Sequence, residues 1–304
     1  MDNVCHTLVG AALGRAGLNR RTRFGSATLM IAANLSDIDV LVFATGMPPV
    51  AFRRGWTHGV VAQLVLPIAL TVAVAFVASR RPPREHGDTV PVPLSVRWLF
   101  LLSIIGVYSH LFLDYLNNYG VRLLSPIDWR WFYGDAVFII DPWLWLVLGL
   151  GIWLARRTQR PWPAIAALLC AAVYIGGMVA SARTSRVRVA DAWTRSEGSP
   201  PLALMVGPQP VTPLSRSIII DAGAHYRTGT FLWPSAEVRL TDERVSKGED
   251  SAEVQQAREA PNVRAFLVWS RFPFWTVEDT AAGRRVTVRD MRFGNRFSAS
   301  TTVD

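Results

Sequence analysis

Four stretches of this 304-residue chain are long and apolar enough to cross a bilayer, which takes about 20 residues: Val60–Ser79, Trp98–Asn117, Ala136–Ala155 and Trp162–Ser181. The first and fourth carry no charge. The second contains His110 and Asp114, and the third Asp141. A single run of this kind could be the core helix of a large soluble protein. Four at near-regular spacing, in a chain that is half hydrophobic, predict an integral membrane bundle.

The first 57 residues have a different rhythm. Val4–Leu18 is apolar at helical spacing, Asn19-Arg20-Arg21-Thr22-Arg23 interrupts it, and Phe24–Leu35 resumes it. As helices the two arms measure about 18–22 Å, short of the ~30 Å hydrocarbon core. They predict a helical hairpin packed against the bundle or entering it part-way. No basic segment precedes the first apolar stretch, so no cleaved signal peptide is expected. After Ser181 charges, Pro and Gly are spread throughout and no spanning run remains. Strand-like segments occur at Ser217–Ile220, Gly229–Trp233, Val263–Trp269 and Arg285–Val288, with a polar helix at Asp250–Glu259. The expected architecture is therefore a mainly α membrane bundle, four spans plus an N-terminal hairpin, over residues 1–181. A soluble α+β domain follows over 182–304. Cys5 and Cys170 lie in apolar runs and are expected to be plain buried thiols.

Following the chain through these spans sorts its charges. Asp37 and Asp39 precede the first span and His58 sits at its mouth. His110 and Asp114 fall in the last turns of the second, and Asp135 and Asp141 lead into the third. All of them lie at one membrane face, and a hairpin folding back at Asn19–Arg23 brings His6 there too. The arginines take the other face. Eleven belong to it (Arg15, Arg20, Arg21, Arg23, Arg80, Arg81, Arg84, Arg97, Arg156, Arg157, Arg160), against Arg53, Arg54, Arg122 and Arg130 on the first. The positive-inside rule makes the arginine face cytoplasmic and the histidine–carboxylate face outward, with the C-terminal domain on the outward side. The net charge of +9 is thus an orientation signal. A nucleic-acid partner is not expected, because residues 182–304 hold 17 Lys+Arg and 14 Asp+Glu.

Ionisable groups inside a bilayer cost a few kcal/mol each (roughly 2.5–3.5 on insertion scales) unless paired or metal-bound, so their convergence marks a site. His110 and Asp114, four apart on a helix, share one face. Asp37 and Asp39 repel unless a cation sits between them. Taken singly each has a structural explanation: a local His–Asp hydrogen bond, a solvated acid pair, an interfacial His58, a core His6, or an Asp141 capping a helix that begins at Pro142. As a set, His6, Asp37, Asp39, His58, His110 and Asp114 are candidate ligands for zinc or another divalent metal. Asp135 and Asp141 are candidate catalytic groups. His86 and His225 lie apart and take no role.

The succession Cys5-His6-Thr7-Leu8-Val9-Gly10, Leu35-Ser36-Asp37-Ile38-Asp39, Arg53-Arg54-Gly55-Trp56-Thr57-His58, Ser109-His110-Leu111-Phe112-Leu113-Asp114-Tyr115 and Asp135 to Asp141-Pro142 resembles the YdjM-like (YfhP-like) membrane-bound metal-dependent hydrolases. In the tail, Phe266–Pro273 and Val288–Phe293 are similar to that family as well. The helical His/Asp pattern is more distantly similar to zinc-dependent phospholipase C and its nuclease relatives, whose clustered metals cleave phosphoesters. Two positions depart from the family pattern: Gly59 follows His58 where a small hydroxyl residue is common, and Val40 follows Asp39 where a further His is common.

Two functions follow as expectations. One is a hydrolase in which a metal-activated water attacks a phosphoester or lipid-linked ester at the membrane surface, with membrane lipid as partner or substrate. The other is a non-catalytic multi-pass protein with a structural or regulatory metal site. A conduction path would need its ionisable residues to continue to the distal face, and the distal halves of the spans have none beyond boundary arginines, which argues against a transporter.

Overall fold

A computed structural model describes residues 1–45, 49–81, 92–281 and 283–303. Arg84 and His86 lie outside the described residues. The chain forms two compact units, one from Met1–Asp39 and Arg54–Val179, the other from Val40–Arg53 and Ala180–Asp304.

The first unit is helical. Its helices are α1 (Asn3–Arg15), α2 (Gly25–Leu35), α4 (Val60–Arg80), α5 (Val96–Tyr115), α6 (Pro142–Thr158) and the start of α7 (Trp162–Glu197); α3 (Pro49–Phe52) belongs to the second unit. Asp2 starts α1 by accepting from the Val4 and Cys5 amides, an N-cap that satisfies orphan donors. Ser95 does the same for α5 through Trp98. α1 and α2 form the expected hairpin and pack on each other, while α2 and α4 pack on α5 and α6 on α1. The approach is close: a Cβ on Gly10 would stand 2.8 Å from the Leu29 carbonyl oxygen, and one on Gly106 would run into the Ala32 methyl. Such small-residue contacts are how membrane helices associate without a hydrophobic driving force. The hairpin turn lies at the arginine end of the bundle. Arg23 Nη1 donates to the Arg81 carbonyl (2.5 Å), Thr22 and Ser95 exchange hydrogen bonds, and Arg21 lies over the Trp98 ring.

Two spans differ from expectation. The second hairpin arm does not stop at Leu35; it continues as a 3-10 helix, Ser36–Ala44, giving one apolar helix over Gly25–Ala44. A 3-10 helix rises about 2.0 Å per residue against 1.5 Å for α, so the whole is about 34 Å long and can cross a membrane. Ser36, Asp39 and Val42, three apart, are its buried line. Conversely, the run Ala136–Ala155 is helical only from Pro142, where Asp141 caps α6; residues 116–141 are a folded loop that includes a Val121–Phe132 bridge. Among the described residues, the helices long and apolar enough to cross a membrane are therefore Gly25–Ala44, α4, α5 and α7; α6, 17 residues and about 26 Å long, packs on α1 and runs from Asp141 at the histidine–carboxylate end to Arg156 and Arg157 at the arginine end. Cys5 is buried as expected, and burial pushes its thiol up to about 12. Cys170 is exposed, because the apolar surroundings of a lipid-facing position are the bilayer itself.

The second unit has two antiparallel sheets. One is the meander β1 (Ala203–Pro208), β2 (Ser215–Asp221), β3 (His225–Leu232), β4 (Glu237–Ser246); the other is β5 (Pro273–Thr280), β6 (Gly283–Asp290), β7 (Gly294–Val303). The last turns of α7 bring Val189 and Trp193 onto Leu204, Val206, Ile218, Ile220 and Phe231 of the first sheet. Val263–Trp269, expected as a strand, is helix α9 (Pro261–Trp269). Pro261 at its first turn favours a helix start, and Val263, Phe266 and Trp269 recur every three residues to form its buried face. The polar helix is α8 (Ala252–Ala257), capped by Ser251. Trp193, Trp269 and Trp275 are core residues. Asp290 ties α9 to β6: it accepts from Ser270 Oγ, the amides of Arg271 and Phe272, and Arg292.

Candidate metal centre

Asp37, His58, His110 and Asp114 are brought together from three separate elements. One ligand atom of each lies within 4.8 Å of the others, and all four residues are buried. Asp37 comes from the first turn of the 3-10 helix, His58 from the tight turn before α4, and His110 and Asp114 from one face of α5, as their spacing predicts.

The turn carrying His58 is held from both sides. Arg54 adopts a left-handed backbone (φ 55°), strained for a non-glycine residue. Its N–H donates to Asp39 Oδ2 (2.7 Å) and its carbonyl accepts from the Arg122 amide (2.9 Å). Ser125 Oγ donates to the Gly55 carbonyl and the Val60 amide to the Ser125 carbonyl. A side chain at Gly59 would collide with Ser125, so the close approach of this turn to the loop requires a glycine there.

Hydrogen bonds fix the two central imidazoles. His110 Nδ1 donates to the Ala33 carbonyl (2.8 Å), so its Nε2 carries the lone pair. Thr57 Oγ1 donates to Asp39 Oδ2 (3.0 Å), so it accepts from His58 Nδ1 (2.9 Å), and His58 Nε2 also carries a lone pair. These two Nε2 atoms face each other at 3.1 Å, with Asp114 Oδ2 3.3 Å from one and 3.4 Å from the other. Asp37 Oδ1 lies 3.9 and 4.0 Å from them. Three acceptors in mutual contact repel unless a cation lies between them. Asp114 Oδ2 is buried and makes no hydrogen bond. Ligand atoms at about 2.0–2.1 Å from a tetrahedral ion stand roughly 3.3 Å apart, so the set fits a divalent metal. Burial also pushes His58 below the usual imidazole pKa, which keeps it in the neutral, ligating form.

The other expected residues take distinct places. His6 stacks on His110 (centroids 3.9 Å apart) with Nε2 3.4 Å from Asp114 Oδ1; neither of its ring nitrogens makes a hydrogen bond. Burial, then the neighbouring His110, push its pKa down to about 3. Asp39 stands behind His58 rather than in the ring of four, 3.6 Å from Nδ1. Asp135 is buried, and its neighbours Gly134 and Ala136 donate to the Tyr115 and Leu116 carbonyls, placing it beside the end of α5. Asp141 accepts from the Trp143 and Leu144 amides and from the Tyr174 hydroxyl (2.8 Å).

Arg54 is the site residue that sequence reasoning does not single out. Its guanidinium donates to Asp114 Oδ1 (3.0 Å) and Asn117 Oδ1 (3.2 Å) and lies over the Tyr119 ring. The Met1 amino group also donates to Asp114 Oδ1. Asp114 thus divides its labour: Oδ1 takes the cationic partners and Oδ2 faces the imidazoles. The Arg54–Asp114 pair spans 60 residues, and the only hint in the sequence is that Arg54 stands four before His58.

Comparison with curated proteins and with solved structures gave no match. A family model described as "YdjM inner membrane protein" matches residues 1–184, the whole helical unit with its histidines and carboxylates. That match covers more than half of the chain, and the protein belongs to the YdjM family of inner membrane proteins.

Proposed function

We propose that the protein is a membrane-bound metal-dependent hydrolase acting on a phosphoester or lipid-linked ester at the membrane surface, with zinc as the metal. The observation that carries this reading is the pair of deprotonated Nε2 atoms meeting Asp114 Oδ2 in a buried pocket of acceptors. When bound, a divalent ion supplies Lewis acidity and lowers the pKa of water toward about 7. His58, His110, Asp37 and Asp114 would hold it, with His6 adjoining. Thr57 with Asp39, and the Ala33 carbonyl, orient the two imidazoles and fix their tautomers. Arg54 is the cation beside the site: it holds Asp114 Oδ1 and leaves Oδ2 facing the imidazoles. Asp135 is the candidate proton acceptor. Asp141 supports the site by fixing the start of α6. The proposed orientation places the site and the C-terminal unit outward.

Complete burial of the ligand set also suits a closed, non-catalytic metal site. Metal analysis of detergent-purified wild type, His110→Ala and Asp37→Ala, with assays on phosphodiester and phospholipid substrates, separates the two. The hydrolase reading expects bound metal and turnover in the wild type and loss of both in the variants. Metal without turnover on a broad panel selects the structural site, and wild type that binds no divalent ion on reconstitution removes both.

A further inference from the structure

Along the outer side of the α4–α5 pair run two apolar cavities of about 360 and 270 Å³ that share Gln63 and Tyr108. The upper one is lined by Leu111, Phe112, Tyr115 and Leu123, and the lower one runs down to Phe100, Ile104 and Ile68. Together they follow α5 from Tyr115 to Phe100, about 22 Å at 1.5 Å per residue, more than the ~15 Å depth of one leaflet's hydrocarbon.

Both helices are long and apolar enough to cross the membrane, so this groove opens to lipid tails rather than to water. Leu64, Ile68, Tyr108 and Phe112 are exposed along it. Its lining and length decide what fits: an apolar trough between two helices, open to lipid tails along its length, matches an extended hydrocarbon chain. The upper end is built on the metal centre itself. Gln63 Nε2 donates to the His58 carbonyl (3.0 Å) and the Leu123 carbonyl (2.9 Å), and Leu111 and Tyr115 directly follow His110 and Asp114.

We propose that this groove binds one hydrocarbon chain of a membrane lipid, with the polar end of that lipid lying beside the metal centre. Resting on the hydrolase reading, this makes the substrate a lipid that reaches the site sideways from the bilayer. The test is photolabelling of the full chain in phosphatidylcholine vesicles containing a small fraction of phosphatidylglycerol with a mid-chain diazirine. The labelled positions are mapped by mass spectrometry, and bound metal is measured on the same samples. Labelling is expected to be several-fold higher at Ile104 and Tyr108 than at Phe76 and Leu169, which are lipid-facing but outside the groove. Ile104→Trp, and independently Leu64→Trp on the facing helix, should each reduce labelling at Tyr108 several-fold and leave Phe76 unchanged. Even labelling of all lipid-facing positions, or labelling at Tyr108 that ignores both tryptophans, overturns the groove. Even labelling of a metal-bound protein removes the groove and leaves the metal centre standing; groove labelling of a protein that binds no metal does the reverse.

Discussion

Arg54 shows how much of the candidate site depends on one backbone position. Its amide grips Asp39, its carbonyl grips the loop at Arg122, and its guanidinium neutralises Asp114. Removing one partner of a buried ion pair leaves the other uncompensated and costs about 3–5 kcal/mol. Metal-stripped Arg54→Gln should therefore melt well below metal-stripped wild type in detergent. Saturating zinc should narrow the gap, because the ion supplies the missing positive charge; an equal gap with and without zinc would separate Arg54 from the metal centre. Asp290 plays a comparable part in the C-terminal unit. Burial alone would raise its pKa, but Arg292 and the surrounding donors hold it below the ordinary carboxylate value. A carboxyl with a depressed folded-state pKa stabilises above its unfolded pKa of about 3.9, and that contribution is lost as pH falls below it. Asp290→Asn is expected to cost about 3 kcal/mol at neutral pH and to flatten the loss of stability below about pH 4, followed by tryptophan fluorescence during unfolding. The histidines and carboxylates of the site were legible in the sequence because ionisable side chains in apolar runs need a reason. Arg54, Thr57 and Asn117 were not, because their partners arrive by loop closure and their types are ordinary near a membrane surface.

At the scale of elements, length and type of apolar run were legible, and transitions within a run were not. Hydropathy continues smoothly from Leu35 through Phe43, so the change from α to 3-10 geometry leaves no mark in it, and it decides whether that arm crosses the membrane. The start of α6 was misplaced by six residues, because Ala136–Ile140 is as apolar as a helix but is bound to the end of α5 through the Leu116 carbonyl. Val263–Trp269 carries β-branched and aromatic residues, yet its buried positions have helical spacing and Pro261 sets the start. Glycines separate contact from mere tolerance. Gly106→Ala would press a methyl onto Ala32 at the α2–α5 contact, and overpacking of this kind costs about 1–3 kcal/mol. Gly149 on α6 has open space, so Gly149→Ala should be neutral or stabilising by up to ~1 kcal/mol. Thermal unfolding of the two variants side by side measures the difference, and equal effects would mean that α2 and α5 are not in close contact.

For the whole molecule, the charge asymmetry read from the sequence has a structural counterpart. The described arginines of the hairpin turn gather with Arg81 and Trp98 at one end of the helical unit, and the carboxylates and histidines gather at the other. In a Cys170→Ser background, a Gln159→Cys reporter should react with an impermeant maleimide only after cells are opened, and a Ser298→Cys reporter in intact cells. Labelling of Gln159→Cys from outside would reverse the proposed orientation. The clustering of acids has one more consequence, for stoichiometry. Asp37, Asp39 and Asp114 stand against Arg54 and the Met1 amino group, with both central imidazoles neutral, which leaves the buried centre one negative charge in excess. A single divalent ion would turn that into one positive charge and a second would raise it to three, in a medium that penalises any. The number of metals held is therefore tied to the anions that arrive with them.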